Sequence, residues 1–153
     1  QPCRRSIMKI RPAVLSDVPA IHGLIVELAV YEREPDAVIN TVSSLEADLF
    51  VHKRCFAEVS ELDGEVVGFA LYFFGYSTWK GRTLYLEDIY VKESHRKHGI
   101  GQALFNTVVD IAKREGVRRM DWQVLEWNTP AIAFYEKNKA LLDGEWINGR
   151  LFL

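Results

Sequence analysis

Two adjacent carboxylates, Glu87 and Asp88, interrupt the otherwise apolar run LYLEDIYV at residues 84–91. Burying a carboxylate among apolar residues costs free energy unless a partner compensates it. A cationic substrate is such a partner, and a carboxylate beside an amine can also take its proton as a general base. Because adjacent strand residues point to opposite faces, both side chains reach one substrate only if the strand contains a bulge. A solvent-facing pair, or a pair bound to a structural arginine, is the alternative interpretation.

A second stretch, RKHGIGQAL at residues 96–104, places Arg96 before two glycines at the start of a helical pattern. Glycines let backbone N–H groups approach a ligand closely. A helix N-terminus adds unpaired N–H donors and a partial positive charge, and the guanidinium matches phosphate oxygens. Together these features predict an anion site. The alternative is that the glycines only turn the chain into a helix.

The spacing of these glycines excludes two common phosphate loops. The dinucleotide fingerprint requires a third glycine where Leu104 stands, and its glycines directly follow a strand, whereas this strand ends at Val91. A P-loop requires Gly-Lys-Ser/Thr, which is not found here.

Hydrophobic periodicity predicts the elements that position both stretches. The order β-α-α-β-β-β-α-β-α-β predicts an α/β (α+β) fold with a mixed, mostly antiparallel sheet flanked by helices on both faces. The strands predicted at 82–91 and 118–126 pair in parallel, because the helix at 99–115 forms the crossover between them. Strands are predicted at 8–13, 55–62, 65–76, 82–91, 118–126 and 149–153, and helices at 15–33 with Ser16 as N-cap, 43–50, 99–115 and 129–138.

Composition bounds the class of protein. The 153 residues predict one domain over 8–153, with 1–7 as an extension or disordered N-terminus. A net charge of −2 provides no basic field for nucleic acid, so any anion site is local. The apolar stretches are too short to span a membrane. Two cysteines and no metal-type spacing predict a reducing, cytoplasmic compartment and no metal.

Several motifs in one order resemble a known family. LYLEDIYVKESHRKHGIGQALF (84–105) and EWNTPAIAFYEKNKA (126–140) resemble the two acetyl-CoA-binding segments of the GNAT acetyltransferases. With IRPA, ELAVYE, VGFALYFF and RLF, the chain from residue 8 onward resembles the branch that acetylates spermidine, spermine and thialysine. The resemblance implies a GNAT-like sheet with a V-shaped opening between strands 82–91 and 118–126. It also implies acetyl transfer from acetyl-CoA to a primary amine of a small cationic di- or polyamine or lysine-like substrate, in a ternary complex.

The resemblance also implies roles for individual residues. Glu87 is expected to be the general base and Tyr135 the general acid, although helical spacing alone favours a core tyrosine. The resemblance implies that the amine is bound by Glu32, Trp79, Glu87 and Asp88. Taken without the resemblance, Glu32 is typical of a solvated residue at a helix end, and Trp79 of a loop aromatic at a dimer interface. The implied acetyl-CoA contacts are Ile89, Tyr90, Val91, Arg96, Lys97, His98, Gly99, Ile100, Gly101, Gln102, Asn128 and Tyr135.

Alternatives remain at this point. The same fold acetylates other amines, such as an amino acid, an aminoglycoside or a protein N-terminus, and a non-catalytic acyl-CoA-binding module is a third possibility. The family commonly forms homodimers, so a homodimer is expected. Lys139 stands where the family usually has glycine, and because lysine tolerates a left-handed cap poorly, we expect a different local turn.

Overall fold

The computed structural model describes residues 6–153. Residues 1–5, which include Cys3 and most of the predicted extension, lie outside the described part, so that extension stays a prediction. The chain forms two compact units, one ending at Trp122 and one comprising Gln123–Leu153. Strands are β1 Met8–Pro12, β2 Phe56–Leu62, β3 Glu65–Ser77, β4 Gly81–Val91 and β5 Met120–Asp121; helices are α1 Val18–Tyr31, α2 Val42–Glu46, α3 Ile100–Arg114 and α4 Thr129–Lys137.

The five strands of the first unit form one sheet in the order β1-β2-β3-β4-β5. The first four pair antiparallel, and β4 pairs with β5 in parallel. Asp63 and Gly64 join β2 to β3 with positive φ angles of 50° and 85°, as a two-residue hairpin turn requires. The predicted mixed sheet, with its parallel pair across α3, is confirmed.

The two faces of the sheet carry different helices. On one face, α1 and α2 pack against the sheet around Val59, Phe69 and Leu71. The α3 helix lies on the other face. Val91 points away from its neighbour Tyr90, which belongs to the core described above. The Cγ2 atom of Val91 lies 3.9 Å from a Cβ placed on Gly101 of α3. The helices therefore bury Val18, Ile21 and Leu24 from α1, and Leu104 and Val108 from α3.

A β-bulge interrupts β4 at Glu87. Leu86 pairs with Tyr72 and Asp88 pairs with Leu71, so Glu87 is an extra residue without an opposite partner on β3. Past the bulge, Asp88 and Tyr90 share the face that packs on α1, as their partners on β3 do. The bulge that the carboxylate pair required is confirmed.

Two predicted strands are wrong or too long. The strand predicted over 118–126 is reduced to Met120–Asp121, which pair with Leu84 and Tyr85. A bulge increases local twist, and the bulge in β4 begins directly past this ladder. Residues 149–153 form no strand. Their apolar composition suits a strand, but residues 140–153 form no ladder, and Phe152 is 91% exposed.

The helix predicted from residue 15 begins as a single 3₁₀ turn, Leu15–Asp17, and α1 proper starts at Val18. The predicted N-cap, Ser16, is exposed, whereas the Asp17 carboxylate accepts the Val14 N–H at 2.8 Å. The Arg11 side chain donates to both Asp17 oxygens at 2.7 and 3.0 Å, and this hydrogen bonding lowers the pKa of Asp17. Asp17 therefore organises the turn in place of Ser16.

In the second unit, α4 has a capped start and end. Asn128 accepts the Ala131 N–H at 3.4 Å as N-cap. At the other end, Ala140 N–H donates to Tyr135 O at 3.0 Å and Lys139 N–H to Glu136 O at 2.9 Å, which is a Schellman motif. Lys139 has φ 64°. Lys139 therefore adopts the left-handed cap conformation that lysine tolerates poorly, and the expected difference from the family's turn stays a prediction.

Candidate active site

Three carboxylates interact at the α1 face of the sheet. Glu32 follows the last residue of α1, and Glu87 and Asp88 lie at the bulge of β4. Burial, with the charges of Glu87 and Glu32 adding to it, raises the pKa of Asp88 to about 7. Burial and the charge of Glu87 also raise the pKa of Glu32. The structure thus brings Glu32 together with two adjacent carboxylates, Glu87 and Asp88, that lie on a different element much later in the chain.

This carboxylate cluster has no cationic partner within residues 6–153. None of the ion pairs formed there involves Glu32, Glu87 or Asp88. A bound cation would lower the repulsion that raises the pKa of Asp88. A carboxyl group with a pKa near 7 is also well suited to accept a proton at neutral pH. The cluster can therefore bind an ammonium group and take a proton from it.

The glycine loop forms an uncapped helix N-terminus. Lys97 and Gly99 have positive φ angles of 66° and 79°, and α3 begins at Ile100 with no side-chain cap. Its first intrahelical bond runs from Ala103 N–H to Gly99 O at 3.0 Å. The Ile100 and Gly101 N–H groups therefore have no acceptor within the helix, which is the geometry that binds anions.

Backbone conformation explains the glycine at 99, whereas neither conformation nor packing explains the one at 101. Gly99 has a left-handed backbone that glycine adopts without strain. Gly101 has an ordinary helical backbone, and a Cβ there would make only van der Waals contact with Val91. A helical glycine costs about 1 kcal/mol relative to alanine. The bare backbone at Gly101 thus leaves room for a ligand at the start of α3.

Arg96 is engaged by the protein itself. Its Nε donates to Val91 O at 3.0 Å, and its guanidinium carbon lies 5.0 Å from the ring centre of Tyr31 and 5.2 Å from that of Tyr90. The Tyr90 hydroxyl donates to Glu27 Oε1 at 3.5 Å. Sequence reasoning missed Tyr31 and Glu27. The available signal was their spacing of four residues, which places both side chains on one face of the helix, with Tyr31 directly before Glu32.

The other predicted cofactor contacts of the first unit lie along β4 and the loop. Ile89, Tyr90 and Val91 pair with Ala70, Phe69 and Gly68 of β3. The Tyr90 side chain is buried on the α1 face, so only its backbone could face a ligand on the other side. Gln102 lies in the first turn of α3 with its amide on Asn106, at 2.9 Å, and Lys97 and His98 are exposed.

Trp79 is not part of the carboxylate cluster. It lies at the tip of the β3–β4 hairpin, where its backbone N–H donates to Ser77 Oγ at 3.2 Å, and its side chain is 86% exposed. Its substrate-binding role stays a prediction. In the second unit, Asn128 caps α4 and the Tyr135 side chain is buried; the cofactor and catalytic roles of both residues stay predictions.

No helix within residues 6–153 combines the length and the apolar composition needed to cross a bilayer. Within the same residues, no three His, Cys, Asp or Glu side chains are grouped as metal ligands would be.

Comparisons with known proteins identify the family. The acetyltransferase (GNAT) family model matches residues 20–139. A thialysine N-epsilon-acetyltransferase of Bos taurus is 40% identical over 140 residues, which cover 86% of this chain and 82% of that protein. Spermidine/spermine N(1)-acetyltransferase-like protein 1 of Homo sapiens is 37% identical over 141 residues, 87% of this chain and 20% of that protein. The aminoglycoside N-acetyltransferase AAC(6′)-Iy, solved in complex with CoA, has a TM-score of 0.79 at 21% identity, covering 97% of each chain.

The chain therefore belongs to the GNAT acetyltransferase family. It is an amine N-acetyltransferase, and its family uses acetyl-CoA as the acetyl donor. The predicted fold and the resemblance stated from the sequence are both confirmed.

Proposed function

We propose that this enzyme acetylates a primary amine of a small substrate with two or more cationic groups, a di- or polyamine or a lysine-like amine such as thialysine. The single observation that carries the proposal is the carboxylate cluster of Glu32, Glu87 and Asp88, in which burial, with repulsion among the carboxylates adding to it, raises the pKa values of Glu32 and Asp88. The names of the 40% and 37% identical relatives support the same substrate class.

In this proposal the cluster divides two tasks. Glu32 and Asp88 hold the ammonium groups, and Glu87, exposed at the bulge, takes the proton from the amine that reacts. A free primary amine has a pKa near 10.4, so its neutral form at pH 7 costs roughly 4.6 kcal/mol. A carboxylate that accepts the proton beside the thioester offsets much of this cost.

The acyl donor would bind along β4 and the loop. We propose that the backbone of Ile89 and Val91 pairs with the pantetheine arm and that the N–H groups at Gly99–Gly101 bind the pyrophosphate, with Lys97 and His98 adding positive charge beside it. Acetyl-CoA supplies an acetyl thioester at the site. The other proposed contacts with the donor are Tyr90, Arg96, Ile100, Gln102, Asn128 and Tyr135.

The bond changes balance without a further reactant. Glu87 first takes a proton from the ammonium group, the neutral nitrogen then forms a bond to the carbonyl carbon, and the carbon–sulfur bond breaks. We propose that the Tyr135 hydroxyl returns a proton to the departing thiolate. The second nitrogen proton leaves to solvent as the amide forms, and solvent restores the proton that Tyr135 gives up. Backbone N–H donors that bind the oxyanion contribute roughly 3 kcal/mol each in such reactions.

We propose that the enzyme works as a homodimer in a reducing, cytoplasmic compartment. Cys55 is a free thiol. Burial raises its pKa, which favours the protonated thiol over the reactive thiolate. Tyr76 and Trp79 are exposed on one hairpin, which supports a protein contact there, and we propose that the Trp79 ring also contacts the cationic substrate through a cation–π interaction. Light scattering of the purified protein tests the dimer directly.

A thiol-release assay tests the function with a matched pair of amines. 1,5-Diaminopentane and 1-aminopentane have the same chain length and differ by one ammonium group. We expect kcat/KM to be at least about tenfold higher for the diamine, and Glu32→Gln to remove most of that difference. Equal rates for both amines would contradict the role of the cluster.

The assay panel also separates the alternatives. Spermidine, thialysine, an aminoglycoside and an alanine-terminated peptide are tested at the same concentration as the diamine. Thiol release with the last two only would assign another amine. Binding of acetyl-CoA with no release from any amine would identify a non-catalytic module.

A further inference from the structure

Tyr31 lies at the junction of the proposed donor site and the proposed amine site. It is the last residue of α1, and its ring centre is 5.0 Å from the guanidinium carbon of Arg96. Glu32 of the carboxylate cluster is the next residue in the chain. The Tyr31 side chain thus contacts the loop that leads into α3, and the residue that directly follows it, Glu32, carries the carboxylate.

The same guanidinium joins a second element. Its carbon lies 5.2 Å from the ring centre of Tyr90, and its Nε donates to Val91 O at 3.0 Å. Tyr90 is two residues from Asp88 on the same face of β4, and its hydroxyl donates to Glu27 of α1. Arg96 is therefore held between the end of α1 and the end of β4, with both elements leading to the cluster.

The backbone hydrogen bonds at the end of α1 are short-range. Beyond Tyr31, the backbone N–H of Glu32 donates to Leu28 O at 2.8 Å and that of Arg33 to Val30 O at 3.0 Å. Arg33 then turns the chain with φ 65°. All of these bonds are local to the last turn of the helix. The contact between Tyr31 and Arg96 joins that turn to the loop.

We propose that Tyr31 is a positioning residue that couples donor binding at the Gly99–Gly101 loop to amine binding at Glu32. A donor anion on the loop restricts Arg96, and Arg96 restricts Tyr31 and the turn that carries Glu32. Because coupling between two sites is reciprocal, the amine strengthens donor binding by the same factor. The inference rests on the proposed function for the identity of the two ligands.

Calorimetry on Tyr31 variants tests the coupling without turnover. CoA and 1,5-diaminopentane are titrated singly and each in the presence of the other. In the wild type we expect each ligand to tighten the other by about fivefold, the scale of one cation–π contact. Tyr31→Leu removes the ring, so the factor falls to about one, and Tyr31→Phe keeps the ring and retains it.

Steady-state kinetics give an independent readout. Tyr31→Leu is expected to raise KM for both substrates by about fivefold, with kcat within about twofold of wild type. Val30→Ala, at an exposed neighbouring position on α1, is the matched control and should change neither. Equal coupling in wild type and Tyr31→Leu, or KM changes that Tyr31→Phe fails to rescue, would reduce Tyr31 to a packing residue.

The two proposals fail in different ways. If the wild type does not bind the diamine, the proposed substrate class is wrong, and the coupling is measured with whichever amine releases thiol in the panel. If the wild type binds CoA and its amine independently of each other, the coupling is wrong while the proposed function stands.

Discussion

A Cβ on Gly101 would lie 3.9 Å from Val91 Cγ2, in ordinary van der Waals contact and with no other atom within 4 Å. Gly101→Ala should therefore fold normally, with stability unchanged or raised by up to about 1 kcal/mol. Acetyl-CoA affinity should fall by at least about tenfold, because the added methyl occupies the approach to the helix N-terminus. Calorimetry and urea unfolding measure the two effects.

Gly23→Ala is the matched control for this substitution. Gly23 lies in α1, and a Cβ there meets nothing within 4 Å. The control should gain about 1 kcal/mol of stability and keep its affinity for acetyl-CoA. Equal donor affinity in both variants would remove the Gly99–Gly101 loop as the donor site.

Glu87→Gln should shift the acid limb of the pH–rate profile upward. Without the carboxylate, neutral amine must come from solution, where at pH 7 about one molecule in a few thousand is neutral. Glu34→Gln, at an exposed position beyond α1, should leave the profile unchanged. A shift to lower pH would instead make Asp88 the base, because the charge of Glu87 helps to raise the pKa of Asp88.

Asp88→Asn should change the pH dependence of stability. The pKa of Asp88 is raised from 3.8 to about 7 in the folded protein, so its favourable contribution is full below about pH 4 and is lost as pH rises through about 7. Wild type should therefore lose stability relative to the variant between pH 4 and pH 8, by a few kcal/mol at most. Urea unfolding at both pH values measures this difference, and Asp110→Asn, exposed on α3, is the control. A pH-independent difference would contradict the raised pKa.

Tyr135→Phe should lower kcat on the order of 10²-fold, since general acid catalysis contributes at least that much. Acetyl-CoA affinity should stay nearly intact, because only the hydroxyl is removed from a buried ring. Tyr76→Phe, at an exposed position on β3, controls for loss of a hydroxyl elsewhere. Loss of donor binding with unchanged turnover per bound enzyme would show that Tyr135 is not the acid.

Lys139→Gly should stabilise the protein by roughly 0.5–1 kcal/mol. Lys139 adopts φ 64° in the Schellman motif after α4, a conformation that glycine reaches without the steric cost of a Cβ. Lys137→Gly, inside the last turn of the helix, should instead destabilise it by about 1 kcal/mol. Thermal unfolding of the two variants compares them, and a destabilised Lys139→Gly would contradict the left-handed geometry.

Local patterns predicted local features well. The Asp63–Gly64 turn lies in the gap between the strands predicted at 55–62 and 65–76, and α3 lies within the helix predicted at 99–115. Each of these features depends on a few neighbouring residues. The Ser16 cap failed because Arg11, which lies on β1, holds Asp17 instead. The long strand over 118–126 failed because strand length depends on a partner, and β4 pairs with β5 at only two positions.

By itself, the sequence determined the family, the order of the helices and strands, and the residue types of the carboxylate pair and the glycine loop. These follow from side-chain chemistry and from spacing along the chain. Only the tertiary structure decided that Glu32 interacts with Glu87 and that Arg96 lies against Tyr31. Both pairs join α1 to elements more than 50 residues away, and such contacts come from the packing of a helix on a bulged strand, which no local pattern specifies.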